Sequence, residues 1–257
     1  MTEHGAAAKP DGPGGRTSPL ARAKQRLRLL AHALLDPLAS TAIRVGLTAN
    51  ALTVLGLGLA AAAGLAFFDG HSRLAALLLL AAGLCDILDG QVARRSGGET
   101  RFGAFFDSTL DRLGEALVLI GILGFCLRNL AALVLEPARF VKQAEAGMDP
   151  TTTWMAVGLT AMLALTGSFL VSYTRARAEG LGLECKVGWF ERPERLALLI
   201  LAGAVKWFSA MSIALLLLAL YSFVTAAQRV AHVWKLTRTR DDSRRPHAPA
   251  GGAGPQP

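Results

Sequence analysis

The sequence predicts an all-α integral membrane protein, with about six transmembrane helices preceded by an interfacial amphipathic helix. Three observations carry that expectation. Of 257 residues, 52% are hydrophobic and only 18% are charged, whereas an ordinary globular chain carries about a quarter charged residues. The apolar residues are gathered into runs close to the ~20 residues needed to cross a ~30 Å hydrocarbon core. The formal charge of +8 flanks those runs, which places the basic excess at anionic lipid headgroups rather than on nucleic acid. Together they exclude a disordered chain.

Residues 1–18 and 237–257 are rich in Gly, Pro, Ala and charge. They cannot bury enough apolar surface to offset the entropy of ordering, so both are expected as disordered tails around a membrane domain over 19–236. The next stretch, LARAKQRLRLLAHALLDPLAS, puts Leu27, Leu30 and Leu34 on one helical face and Lys24, Arg28 and His32 elsewhere, as in a helix lying in the membrane interface. The first apolar run, 51–68, follows this polar, basic leader and so does not read as a cleavable signal peptide. Further runs lie at 74–92, 103–127, 153–174, 193–208 and 209–228. The last two are separated only around Lys206, so they form either a tight hairpin or one long kinked helix.

Most of the 27 Lys and Arg residues fall in segments that share one side of the membrane, leaving Arg73, Arg139, Lys142 and Lys206 for the other. By the positive-inside rule both termini face the cytoplasm. Trp154, Trp189, Trp207 and Trp234 fall near the ends of runs, where indole favours the interface. Cys85, Cys126 and Cys185 have no paired spacing, the five histidines are scattered, and neither a zinc pattern nor a P-loop occurs.

The second and third runs hold what an apolar helix avoids: Asp86, Asp89, Asp107, Asp111 and Glu115. A charge at bilayer depth costs about 2.5–3.5 kcal/mol on insertion scales, so something must neutralise this group. Asp86 and Asp89 are three apart and Asp107, Asp111 and Glu115 each four apart, so each set follows one helix face and two antiparallel helices can bring them together. Oxygen ligands without His or Cys suit a hard cation such as Mg²⁺, Mn²⁺ or Ca²⁺. A proton relay or ion path is the other reading of the charges. Gly90, Gly103 and Ala93 make the surroundings shallow, and Arg94 and Arg101 at the helix ends can hold a phosphate.

As a string, Asp86-x2-Asp89-Gly90-x2-Ala93-Arg94-x8-Gly103-x3-Asp107-x3-Asp111 matches every fixed residue and gap in the signature of the CDP-alcohol phosphotransferase family. The chain therefore resembles that family over about residues 20–230. The resemblance implies six membrane helices, a homodimer, and transfer of a phosphatidyl group from CDP-diacylglycerol to an alcohol with release of CMP. It also implies Mg²⁺ or Mn²⁺, as two ions, held by Asp86, Asp89 and Asp107. Asp111 would be a further ligand or the general base, and Gly90, Ala93, Arg94 and Gly103 would line the CDP part. Upstream, Thr48-Ala49-Asn50-Ala51-Leu52-Thr53 is similar to the family's T-P-N-x-x-T, with Ala49 in place of Pro. This leaves Asn50 and Thr53 for nucleotide contacts, with N-capping as the plainer role for Asn50.

The stretch from Ser172 to Leu196 bears on the acceptor. Arg175, Arg177, Lys186, Arg192 and Arg195 are more cations than topology requires, and guanidinium forks grip phosphate oxygens. S-Y-x-[KR]-A-R-A-E followed by E-R-P-E-R looks like the phosphatidylinositol phosphate synthase branch, whose acceptor is myo-inositol 1-phosphate; GGETRFG is similar to that branch too. By that resemblance Arg175, Arg177, Arg192 and Arg195 bind the acceptor phosphate. Glycerol 3-phosphate, the acceptor of phosphatidylglycerophosphate synthesis, is the alternative, and a membrane transporter is the rival class.

Overall fold

A computed structural model describes residues 36–244 apart from 99, 146, 148, 189, 206 and 207. The tail over 1–18, the apolar face of Leu27, Leu30 and Leu34, and the positions of Lys206, Trp189 and Trp207 lie outside the described residues. All regular structure among the described residues is helical. A first segment, α1, covers residues 36–44. It is followed by α2 (Ala49–Phe68), α3 (Ser72–Ser96), α4 (Arg101–Leu135), α5 (Pro137–Glu145), α6 (Pro150–Gly180), α7 (Arg192–Val205) and α8 (Phe208–Arg244).

Five of these, α2, α3, α4, α6 and α8, are long and apolar enough to cross a membrane. The chain is a multi-pass membrane protein. The run expected at 193–208 forms α7, which has only 14 residues, about 21 Å at 1.5 Å per residue. The reason lies in its packing against α3. A Cβ on Gly83 would sit 3.0 Å from Leu196 Cδ2, and one on Gly203 3.0 Å from the Ser72 carbonyl. α7 therefore runs antiparallel to α3 from near Asp86 to Ser72, and starts well short of the α3 terminus at Ser96. The loop before α7 consequently reaches inward to the level of Asp86. Irregular backbone at such depth is tolerated where it lines a cavity or is buried in protein.

Two further boundaries differ from expectation. α8 continues through Thr237 to Arg244, past the tail boundary read at 237, and α5 is an additional short helix in the loop after α4.

Lipid is as apolar as the helices, so these helices associate through close packing rather than by escaping water. α2 and α4 cross in backbone contact, because a Cβ on Gly121 would stand 2.0 Å from the Gly64 carbonyl oxygen and one on Gly64 2.5 Å from that of Leu117. Gly167 does the same for α6 against α8, where its Cβ would meet Ser222 Cβ at 2.8 Å. Ala63, Leu79, Leu119, Leu199, Leu215 and Leu218 fill the centre. At the other end Ala39 and Ala42 of α1 pack on Leu52 and Val92, and Arg95 pairs with Asp36 and donates to Ser40 Oγ at 3.1 Å. This fixes α1 across the ends of α2 and α3 from which the acidic residues are reached.

Candidate active site

Three helix ends converge on the acidic cluster. Thr48 caps α2, its hydroxyl accepting from Ala51 N at 3.2 Å. Asn50 is thus not the cap, and α2 starts at Ala49 without the proline. Thr100 caps α4 in the same way, accepting from Gly103 N at 2.9 Å. α3 ends on Gly97, whose φ of +64° is the left-handed conformation that glycine adopts without a Cβ penalty.

Asp86, Asp89 and Asp107 each place a carboxylate oxygen within 4.8 Å of the other two. Asp89 is buried, and Thr53 Oγ1 lies 2.8 Å from its Oδ2 and 3.0 Å from Ala49 O. The hydroxyl thus lies within hydrogen-bond reach of both oxygens. Asp107 Oδ1 is buried with no hydrogen-bond partner. A buried acceptor left in that state costs about 1–3 kcal/mol, more when charged. A cation between the three carboxylates would satisfy it and cancel their mutual repulsion, and an all-oxygen donor set suits Mg²⁺ or Mn²⁺.

Asp111 lies outside this group of three. Its Oδ2 is 2.6 Å from Arg192 Nη1, and the same nitrogen is 3.0 Å from Asp86 Oδ1. One turn further along α4, Glu115 receives both Nε (2.6 Å) and Nη2 (2.8 Å) of Arg195, a side chain only 2% exposed. Glu115 is therefore a helix-interface acid that ties α7 to α4. The first turn of α7 delivers Arg192 to the carboxylates and Arg195 behind it.

On one side of the aspartates opens a cavity of about 520 Å³ lined by Asn50, Thr53, Gly90, Ala93, Arg94 and Gly103, together with Asp89 and Asp107. Every residue read from the sequence as contacting CDP is on this wall. Gly90 leaves space for a guanidinium, since a Cβ there would lie 3.2 Å from Arg94 Nη1, and one on Gly103 would lie 3.0 Å from Thr100 Oγ1. Thr100 and Arg101 also face the cavity.

The cations on the opposite side are less gathered. Arg175 Nε donates to Glu179 Oε1 at 2.9 Å, and its Nη1 is 3.9 Å from Glu191, the residue before Arg192. Arg177 is exposed. Lys186 pairs with Glu184 at 2.6 Å with both side chains exposed; this hydrogen bond raises the lysine pKa and lowers that of the glutamate, so Lys186 belongs to the surface.

Arg229 lies in none of the sequence motifs. It is buried, with Nε 2.9 Å from the Val187 carbonyl, Nη1 2.5 Å from that of Val171 and Nη2 3.8 Å from Glu191. It ties the loop before α7 to α6 and α8. Ser222, Thr225 and Arg229, all buried, recur at helical spacing along one face of α8, a polar stripe in an apolar helix that could have drawn notice.

Known proteins resemble this chain in sequence and in fold. A model of the CDP-alcohol phosphatidyltransferase family matches residues 46–237. The archaetidylinositol phosphate synthase of Methanothermobacter thermautotrophicus is 37% identical over 216 residues, covering 82% of this chain and 93% of that protein. The phosphatidylinositol phosphate synthase of Mycobacterium tuberculosis is 34% identical over 206 residues, covering 77% and 84% respectively. Its crystal structure with CDP-DAG bound superposes with a TM-score of 0.62 at 31% identity, covering 84% of this chain and 97% of that one. The form in complex with manganese and citrate gives 0.63 at 31% identity, covering 84% and 92%.

Proposed function

The chain belongs to the CDP-alcohol phosphatidyltransferase family, and from that premise we propose that it transfers the phosphatidyl group of CDP-diacylglycerol to the hydroxyl of myo-inositol 1-phosphate, giving phosphatidylinositol phosphate and CMP. The observation that carries this reading is the convergence of Asp86, Asp89 and Asp107 between a cavity walled by the CDP-contacting residues and the arginine-bearing start of α7. The relatives named above as inositol phosphate lipid synthases favour the same acceptor.

In this reading Asp86, Asp89 and Asp107 hold the divalent metal, as Mg²⁺ or Mn²⁺ and as two ions. Divalent metal bound there would screen the pyrophosphate and stabilise charge growing on the departing CMP. Asn50, Thr53, Gly90, Ala93, Arg94 and Gly103 seat the CDP portion, with Arg94 folding into the space Gly90 leaves. The acceptor hydroxyl oxygen forms its bond to the phosphorus that carries diacylglycerol, the bond from that phosphorus to the CMP oxygen breaks, and Asp111 takes the hydroxyl proton. Asp111 stands outside the trio of converging carboxylates, which supports a role as base rather than metal ligand.

Arg175, Arg177 and Arg192 meet the acceptor phosphate, whereas Arg195, 2% exposed with Nε and Nη2 both on Glu115, stands behind them as a positioning residue and not as the phosphate contact expected from the sequence. Bidentate guanidinium contacts explain the use of arginine over lysine. The protein works as a homodimer in the cytoplasmic membrane, with both termini and the site facing the cytoplasm and anionic lipids around its basic rim. The Lys and Arg asymmetry of the loops supports that orientation.

Purified protein with Mg²⁺ and CDP-diacylglycerol, assayed for CMP release with inositol 1-phosphate, inositol, glycerol 3-phosphate, serine and no acceptor, tests the proposal. Turnover with inositol 1-phosphate alone is expected. Turnover with glycerol 3-phosphate in its place would make this a phosphatidylglycerophosphate synthase.

A further inference from the structure

Helix α5, Pro137–Glu145, takes no part in the site, yet its nine residues are sharply two-faced. At 100° per residue Pro137, Phe140, Val141 and Ala144 share one side, and Arg139, Lys142 and Gln143 share the opposite one. The polar side is engaged: Gln143 Oε1 accepts Trp154 Nε1 at 3.2 Å, and Arg139 Nε contacts Glu136 Oε2 at 2.5 Å. Trp154 in turn sets its ring edge-to-face with Phe125 and Phe208, at 5.6 and 4.9 Å between centroids. The apolar side is bare, with Phe140 42% and Val141 53% exposed.

Two features say what covers it. The last residues of the preceding span, Val134 and Leu135 of α4, are bare as well, at 80% and 79% exposed. Only Glu136 separates α4 from α5, so α5 starts at the depth where that span ends. The opposite face offers Arg139 and Lys142, both exposed, cations that suit lipid phosphates. An apolar face with basic residues opposite it is the pattern of a helix lying in the interface plane.

We propose that α5 is an interfacial helix on the membrane surface remote from the aspartates, with Phe140 and Val141 at the headgroup–acyl boundary and its cations among lipid phosphates. The occupant of its bare face is the lipid bilayer. The loop between α4 and α6 is then a lipid-bound element that, through Gln143 and Trp154, fixes the outer ends of the helices. This inference does not depend on which alcohol is the acceptor.

Arg139, Phe140, Val141 and Lys142 are each replaced by cysteine, labelled with a small fluorophore and reconstituted into phosphatidylcholine/phosphatidylglycerol vesicles. The buried native Cys85, Cys126 and Cys185 supply the background, read from unsubstituted protein, and CMP release confirms that each variant is folded. Quenching by lipids with a nitroxide on the acyl chain is expected to be several-fold stronger at Phe140→Cys and Val141→Cys than at Arg139→Cys and Lys142→Cys, with aqueous iodide giving the reverse order. Equal iodide quenching at all four would overturn the proposal by placing the helix in water. Protection of Phe140→Cys from both quenchers, with cross-linking between copies, would overturn it by placing a second chain on that face.

Discussion

The two sides of the aspartate cluster are built on different terms. The side we propose for the donor is open and shaped by what is missing: Gly90, Ala93 and Gly103 clear a cavity of about 520 Å³ at the meeting of three capped helix ends. The side we propose for the acceptor is closed by what is present. Arg192 bridges Asp86 and Asp111, and Arg195 is buried on Glu115. On the proposed assignment, backbone and small residues suit a nucleotide that must approach closely, whereas a small phosphorylated alcohol would be met by Arg192, held in place by its counter-charges until the alcohol arrives. The difference teaches that substitutions on the two sides should fail differently, the first in donor binding and the second in acceptor use or in stability.

The largest effect is expected at the boundary between them. Asp89→Asn removes a buried ligand shared by both halves, and turnover should fall to background, as it should when wild-type protein is stripped of divalent metal with EDTA. CMP release after Mg²⁺ is added back checks this, with recovery expected for wild type and none for the variant.

Next comes the buried pair behind the acceptor wall. Arg195→Ala leaves the largely buried Glu115 without its bidentate partner, a loss of about 3–5 kcal/mol for broken buried pairs. The thermal midpoint in detergent should drop markedly, and Arg195→Ala with Glu115→Leu together should recover part of it. Arg192→Gln is the sharper probe of the acceptor side. Arg192 is partly exposed, so its loss should raise the acceptor KM by about tenfold or more, the size of one charge-assisted hydrogen bond of about 1.5–3 kcal/mol, while donor KM stays near wild type.

A smaller effect, of opposite assignment, is expected from Gly103→Val. The added side chain meets Thr100 and narrows the cavity toward Asn50, so donor KM should rise with acceptor KM unchanged; equal changes in both would erase the distinction between the two sides. Lys186→Ala, which removes a fully exposed pair, should leave both constants as they are.

How much of this was legible in the sequence follows the same division. The acidic faces were legible, because they are made by short-range spacing: Asp86 and Asp89 lie on one helix and Asp107 and Asp111 on the next, and helical period decides which side chains share a face. The expected CDP contacts at Gly90, Ala93, Arg94 and Gly103, and at Asn50 and Thr53, came instead from the resemblance of two local strings to the family's. The acceptor side was less legible, because it depends on how far α7 is set into the membrane. Composition shows an apolar run at 193–208, but the antiparallel packing of Gly83 and Gly203 against Leu196 and Ser72, which starts α7 at the level of Asp86, is a tertiary fact. So is the pairing of Glu115 with Arg195, residues on separate helices whose charges gave no sign of each other. The continuation of α8 past 237 was hidden because its last turns are charged, and polar composition alone does not distinguish a solvated helix end from a tail.

The central claim, that the aspartates hold the donor by one set of residues and activate the acceptor by another, is tested most directly on Asp111→Asn. Binding of CDP-diacylglycerol in the presence of Mg²⁺ is measured by titration calorimetry on the variant and on wild type, with CMP release followed on the same preparations. The account predicts donor affinity close to wild type with turnover reduced by roughly 10²–10⁴-fold, the contribution of a general base. Turnover near wild type, or donor binding lost together with turnover, would contradict it.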